Sequence, residues 1–296
     1  MNANPFGFNV AAHPCEKGDL GCDARSQCEY NMRKQGKEMY GDDAYGPDGN
    51  LIDTNRAFTI NTQFVSTADY SDLWMLRTTL TQDSNELVME ADCTDYLNEF
   101  DADIEGNMTF VFATWDNREY EFADFECEGL CPQPASTCDD ASVAFSNVKF
   151  TQDGSNWDPV EDESDDEDEE EDEDEEDEDE GEEESDEDED PVSFESFTGN
   201  LDFYGEWQFY VKGIQGSHLE TDYDTITMHE NNRAFVLDYP FDESVFWAYN
   251  NKYLGGSVTF DVDISSVGCG CAAGVYLTKL DDDQCSWNSY EAGTKP

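Results

Sequence analysis

Apolar residues in this chain come in short runs, and several of those runs alternate with polar residues. Before the middle of the chain they are Ala57–Val65, Leu73–Leu80, Glu86–Glu90, Met108–Thr114 and Ser142–Phe150. After it they are Trp207–Val211, Thr225–His229, Ala234–Leu237, Ser257–Ile264 and Gly274–Leu280. A period near two is the mark of a strand with one buried face, so each run predicts a β-strand. Clusters of Gly, Asp, Asn and Pro separate the runs. Gly41-Asp42-Asp43 and Gly46-Pro47-Asp48-Gly49-Asn50 read as turns. No segment keeps an apolar period of 3.6, so no long helix is expected. The pattern predicts an all-β sandwich or barrel.

Charge divides the chain into three. Residues 161–190 contain 27 acidic residues in 30. Such a block has no apolar surface to offset chain entropy, and its like charges repel, so a solvated, disordered linker is expected over 158–192. Fully extended, 30 residues reach at most ~100 Å. Its carboxylates are hard oxygen ligands, which makes weak, diffuse Ca²⁺ binding at 161–190 the one ion partner expected. The strand-rich segments are 1–157 and 193–296. Across all 296 residues, 73 Asp and Glu stand against 14 Lys and Arg, a formal charge of −59. Outside the block the ratio is still 46 to 14. Nucleic acid and anionic membrane surfaces, which need Lys and Arg, are therefore excluded as partners.

The ten cysteines suggest an oxidising compartment. Asn107-Met108-Thr109 is an N-glycosylation sequon and points the same way. The first residues carry neither a basic nor a long apolar stretch, so no signal peptide is expected at Met1. No run of 18 apolar residues predicts a membrane span. The expectation is a piece of a longer secreted, extracellular protein. The three histidines, His13, His218 and His229, form no zinc-binding spacing, and no nucleotide-binding glycine loop occurs. No metal site with defined ligands and no cofactor is expected.

An ordered series of motifs carries the reading further. It begins with His13-Pro14-Cys15, Cys22-Asp23, Cys28-Glu29-Tyr30-Asn31 and Met39-Tyr40-Gly41. It continues through Phe58-Thr59-Ile60-Asn61-Thr62-Gln63-Phe64, Cys93, Val111-Phe112-Ala113-Thr114-Trp115-Asp116-Asn117 and Val143-Ala144-Phe145-Ser146-Asn147-Val148-Lys149-Phe150. In order and spacing it resembles the second half of glycoside hydrolase family 7, the cellobiohydrolases and endoglucanases that cut β-1,4-glucan. Residues 254–264, with Cys269-Gly270 and Gly274-Val275-Tyr276-Leu277, are similar to part of that family's first half. The halves appear in inverted order. Either the chain is cut across two tandem domains, or it is a permuted chain whose halves pack into one concanavalin-like β-jelly-roll sandwich.

The resemblance implies a retaining glucan hydrolase, which needs two carboxylates ~5–5.5 Å apart. It places Asn2 at the acid/base position and the nucleophile before Met1, so the catalytic pair is not found in this chain. A carboxamide gives no proton to a leaving alcohol, and general acid/base help is worth ~10²–10⁴ in rate. The expected function is thus a family 7 β-1,4-glucan (cellulose) hydrolase that is incomplete or inactive here. The alternatives are a non-catalytic glucan-binding module and an acidic, calcium-loaded extracellular scaffold. For substrate contact the resemblance implies His13, Trp115 as a stacking platform, Asp116, Tyr276, and Lys34 or, with a one-residue slip, Arg33. The family's second tryptophan falls at Asp124, and an expected asparagine is Ala272. The resemblance also implies disulfides Cys15–Cys22 and Cys28–Cys93, and a bond from Cys269 to Cys127 or Cys131. In a tandem cut, Cys131–Cys138 or a free thiol replaces the last.

Overall fold

The computed structural model describes residues 1–12, 28–67, 72–91, 97, 108–116, 138, 141–151, 195–201, 205–213, 219–230, 232–237, 253–268 and 271–279. They form strands almost throughout. Before the acidic tract come β1 (Asn2–Asn4), β2 (Gly7–Ala12), β3 (Cys28–Asn31), β4 (Tyr45–Gly46), β5 (Ile52–Asp53), β6 (Phe58–Ser66), β7 (Leu73–Gln82), β8 (Asn85–Ala91), β9 (Met108–Asp116) and β10 (Ser142–Thr151). After it come β11 (Glu195–Leu201), β12 (Gly205–Gly213), β13 (Leu219–Asp222), β14 (Thr225–His229), β15 (Asn232–Leu237), β16 (Ser257–Asp263) and β17 (Cys271–Lys279). A helical turn covers Met32–Gly36 and Lys37–Tyr40.

Each of the ten runs lies on a strand, within three residues at its ends. The alternation is visible in burial. In β16, Val258, Phe260 and Val262 are buried while Ser257, Thr259, Asp261 and Asp263 are half-exposed. The outward residues pair across strands: Thr59 donates to Asp261 at 2.6 Å and Asn61 to Thr259 at 2.5 Å.

The strands form two antiparallel layers of a sandwich. One runs β8-β7-β6-β16-β10-β14-β13, the other β3-β2-β1-β17-β9-β15-β12-β11. Strand β10 joins them. Its first half pairs with β14 as far as Ser146↔Thr225, and Lys149↔Asn200 then begins a short parallel contact with β11. The handover falls at a bulge, where Asn147 takes φ 53° and donates to Asp261 at 2.6 Å. A bulge bends the strand and increases its local twist, which is the geometry a corner needs.

Aromatic rings fill the space between the layers. Phe112 of β9 lies 4.7 Å from Phe145 and 6.4 Å from Phe260, centroid to centroid. Phe110 lies 5.4 Å from Phe150, and Phe64 packs on Tyr253 at 5.5 Å. Edge-to-face and tilted contacts of this kind add to the gain from burial alone. At one end Gln82 ties the 53–57 turn to β7: its amide accepts from Asp53 N–H at 2.8 Å and donates to the Asp53 and Ala57 carbonyls at 3.0 Å.

Strands from the two sides of the acidic tract interleave. β17 lies between β1 and β9, β16 lies between β6 and β10, and β15 pairs with β9. Each segment alone would leave strand edges and an apolar face open, so the two halves meet in one sandwich. The acidic residues 158–192 lie outside the described residues.

Candidate functional site

Of the residues assigned to substrate contact, Trp115 and Asp116 lie on β9 and Tyr276 on the neighbouring β17, next to β1, which carries Asn2. Register places Asn2 of β1 opposite Gly274 of β17 and Asn9 of β2. On the other side of β17, Ala272 faces Trp115, Gly274 faces Ala113 and Tyr276 faces Val111. Trp115 and Tyr276 are thus one strand apart, ~4.8 Å, and four residues apart along it, ~13 Å.

Parity separates the two faces of this layer. Ala3, Phe8, Val10, Phe110, Phe112, Ala273 and Val275 belong to the aromatic core. Val111, Ala113 and Ala272 are fully buried yet stand outside that cluster. With Gly274 they make a floor of small residues on the opposite face of the sheet. Toward β3 the same rows end in carboxamides, since Asn2 faces Asn9 and Asn9 faces Asn31. Asn9 and Asn31 are buried, and the Asn9 Oδ1 atom accepts no bond among the described residues. Neither register neighbour of Asn2 is an acid. The acid nearest along β9 is Asp116, opposite Cys271.

On the core side of the same strands, burial pushes the Tyr30 hydroxyl up to about 12, with a smaller contribution from Tyr40. That phenol stays protonated and serves packing. Lys34 and Arg33 lie on the helical turn that follows β3. His13 lies outside the described residues, as do Asn107 and the acidic residues 161–190. Among the described residues no three His, Cys, Asp or Glu side chains converge as metal ligands. No helix there is long and apolar enough to cross a membrane.

One disulfide is described, and it joins a pair that the resemblance did not name. Cys138 bonds Cys271 over a sequence separation of 133, with Cα atoms 5.1 Å apart. The tandem-cut alternative Cys131–Cys138 is therefore overturned, because Cys138 is already bonded. The bond expected from Cys269 to Cys127 or Cys131 involves cysteines outside the described residues. Cys269-Gly270-Cys271 is too tight for an ordinary metal pair, and cysteines at this spacing usually bond elsewhere, as Cys271 does; that signal was in the sequence, but it named no partner. Cys15, Cys22, Cys93, Cys127, Cys131 and Cys269 lie outside the described residues, and Cys28 sits in β3 opposite Ala12.

Compared with family models, curated proteins and solved structures, the chain finds no match.

Proposed function

We propose that the protein binds β-1,4-glucan across strands β1, β17 and β9, in the manner of family 7 glycoside hydrolases, without that family's acid/base residue. One observation carries the reading. Asn2 and Trp115 come from the first segment and Tyr276 from the third, yet all three occupy adjacent strands of one layer. The resemblance implies a single cleft for these positions.

The chemistry follows from the residue types. A pyranose ring offers a flat apolar face to an aromatic side chain and hydroxyls to amides. Residues 113, 272 and 274, between the aromatic positions and the carboxamide rows, are all small. Retaining hydrolysis, by contrast, needs a carboxylic acid where Asn2 stands. The same reading puts the protein outside the cell, for which a bond between two buried cysteines speaks, since such bonds persist in oxidising compartments.

Cello-oligosaccharides should quench the tryptophan fluorescence of the purified chain weakly and saturably, and Trp115→Ala should remove that response. The same preparation should release no aryl alcohol from an aryl β-cellobioside. An identical fluorescence response in the variant would place the sugar elsewhere. Aryl release abolished by Trp115→Ala would make the protein a working glycosidase and overturn the binding-only reading.

A further inference from the structure

Tyr223 is anomalous in three ways at once. It is 63% exposed, one of three large apolar side chains so exposed among the described residues. It occupies the first position of the two-residue turn joining β13 to β14, with φ 51°. Two-residue hairpin turns normally put glycine or asparagine at positive φ, and a bulky residue there is an outlier. The equivalent turn between β7 and β8 uses Asp83, at φ 56°, a residue type that tolerates this region. No core packing rewards the exposed ring of Tyr223.

The ring is nevertheless fixed in place. Its hydroxyl donates to Glu206 Oε1 of β12 at 3.0 Å, and its carbonyl accepts from Thr198 N–H of β11 at 2.6 Å. The hydrogen bond to Glu206, followed by the charge of that carboxylate, raises the phenol above its usual range. Glu206 is itself exposed, and its second oxygen accepts no bond among the described residues. Exposed Gln208 stands two residues along the same strand, with its amide on Ser196 Oγ at 3.1 Å. Strained, over-determined backbone at the surface is characteristic of ligand contacts.

We propose that Tyr223 and Glu206 form a second glycan contact, on strands other than those of the β1–β17–β9 face, which stacks a neutral sugar ring on the phenol and accepts its hydroxyl hydrogens on the carboxylate. Neutrality follows from the surroundings. The charges of Glu206 and Asp224 both act on the phenol, Asp222 precedes it in the chain, and the protein carries −59. A phosphate, sulfate or uronate would be repelled, whereas a hydroxyl is a donor that a carboxylate accepts. The held phenol binds without first losing freedom, which lowers the cost of association. The proposal goes beyond the glucan cleft and stands or falls separately from it.

The test is ¹⁹F NMR of the full chain carrying 3-fluorotyrosine, with the Tyr223 resonance identified by its loss in Tyr223→Asn. Asparagine keeps the left-handed turn and removes the ring. Titration with cellohexaose should shift the Tyr223 resonance saturably in the wild type and equally in Trp115→Ala. Glu206→Gln should weaken that titration about tenfold, as expected when a hydrogen bond to a charged group is lost. Oligogalacturonate should leave the resonance unmoved. A Tyr223 signal that does not respond to cellohexaose, responds equally to oligogalacturonate, or is unchanged by Glu206→Gln overturns the proposal. A responding Tyr223 with no Trp115-dependent fluorescence change would sink the cleft reading and leave this one standing.

Discussion

Cutting the bond between Cys138 and Cys271 should destabilise this fold severely. The two cysteines are 133 residues apart, and their closed loop spans the whole acidic tract. In the chain-entropy model, removing a cross-link of that length frees the unfolded chain by about 5 kcal/mol. At ~2–4 °C per kcal/mol for a chain of this size, the melting temperature should fall by roughly 10–20 °C. The folded strands themselves should change little, because β9 and β17 are paired along nine register positions from Cys271↔Asp116 to Lys279↔Met108. The perturbation is Cys138→Ala with Cys271→Ala, compared with the reduced wild type, which keeps both sulfur atoms in the core. The assay is urea unfolding followed by circular dichroism, with the oxidised wild type as reference. Peptide mapping under non-reducing conditions should recover the Cys138 peptide joined to the Cys271 peptide. A loss below ~1 kcal/mol, or a Cys138 peptide joined to Cys131, would refute the reasoning, since the latter loop is far too short to give this effect.

Two further outcomes follow from local geometry. The Tyr40 hydroxyl donates to the Val88 carbonyl at 2.9 Å and accepts from the Val88 N–H at 3.1 Å, which closes one peptide of the edge strand β8. Tyr40→Phe should cost ~1 kcal/mol and promote concentration-dependent association, read by light scattering on a sizing column; unchanged stability and a monomer at all concentrations would contradict this. The Asp53 carboxyl is held below its usual 3.8, first by the Asn55 N–H, against an opposing effect of burial, then by the Asp48 N–H and Arg56. Its contribution is therefore complete above that value and lost as pH falls through the lower folded value. Urea midpoints of Asp53→Asn should lie below wild type at pH 6, and the gap should narrow as the pH falls below 3.8; a gap that does not change with pH would show that ionisation of Asp53 is not the cause.

The legible part of the fold was the part with alternation. β6, β7, β10 and β16 announce themselves because one face is packed and the other is hydroxyls and amides, so periodicity and burial agree. β1 and β2, Asn2–Asn4 and Gly7–Ala12, did not, being short and rich in Asn, Gly and Ala. Those residues disfavour strands intrinsically, and only pairing with β17 and with each other makes them strands. The same holds for β11 and β13, whose register is set by β12 and β14. Nothing in the periodicity marked Asn2, Trp115 or Tyr276 as neighbours. Resemblance named them, and pairing across the tract put them side by side. Cys138–Cys271 was out of reach because a disulfide depends on where strands end in space, and spacing along the chain says only which bonds are forbidden. Tyr223 gave one hint, a tyrosine between two aspartates in a turn, but positive φ and exposure are properties of the folded hairpin.

The proposed function rests on strands from both sides of the acidic tract building one glucan-binding face. Its most direct test is a crystal structure of the protein grown with saturating cellohexaose. The account predicts a sugar chain crossing β1, β17 and β9, with a ring stacked on Trp115, Tyr276 at its other end and the glycosidic bonds intact. An empty β1–β17–β9 face, with the oligosaccharide bound elsewhere or not at all, would contradict it.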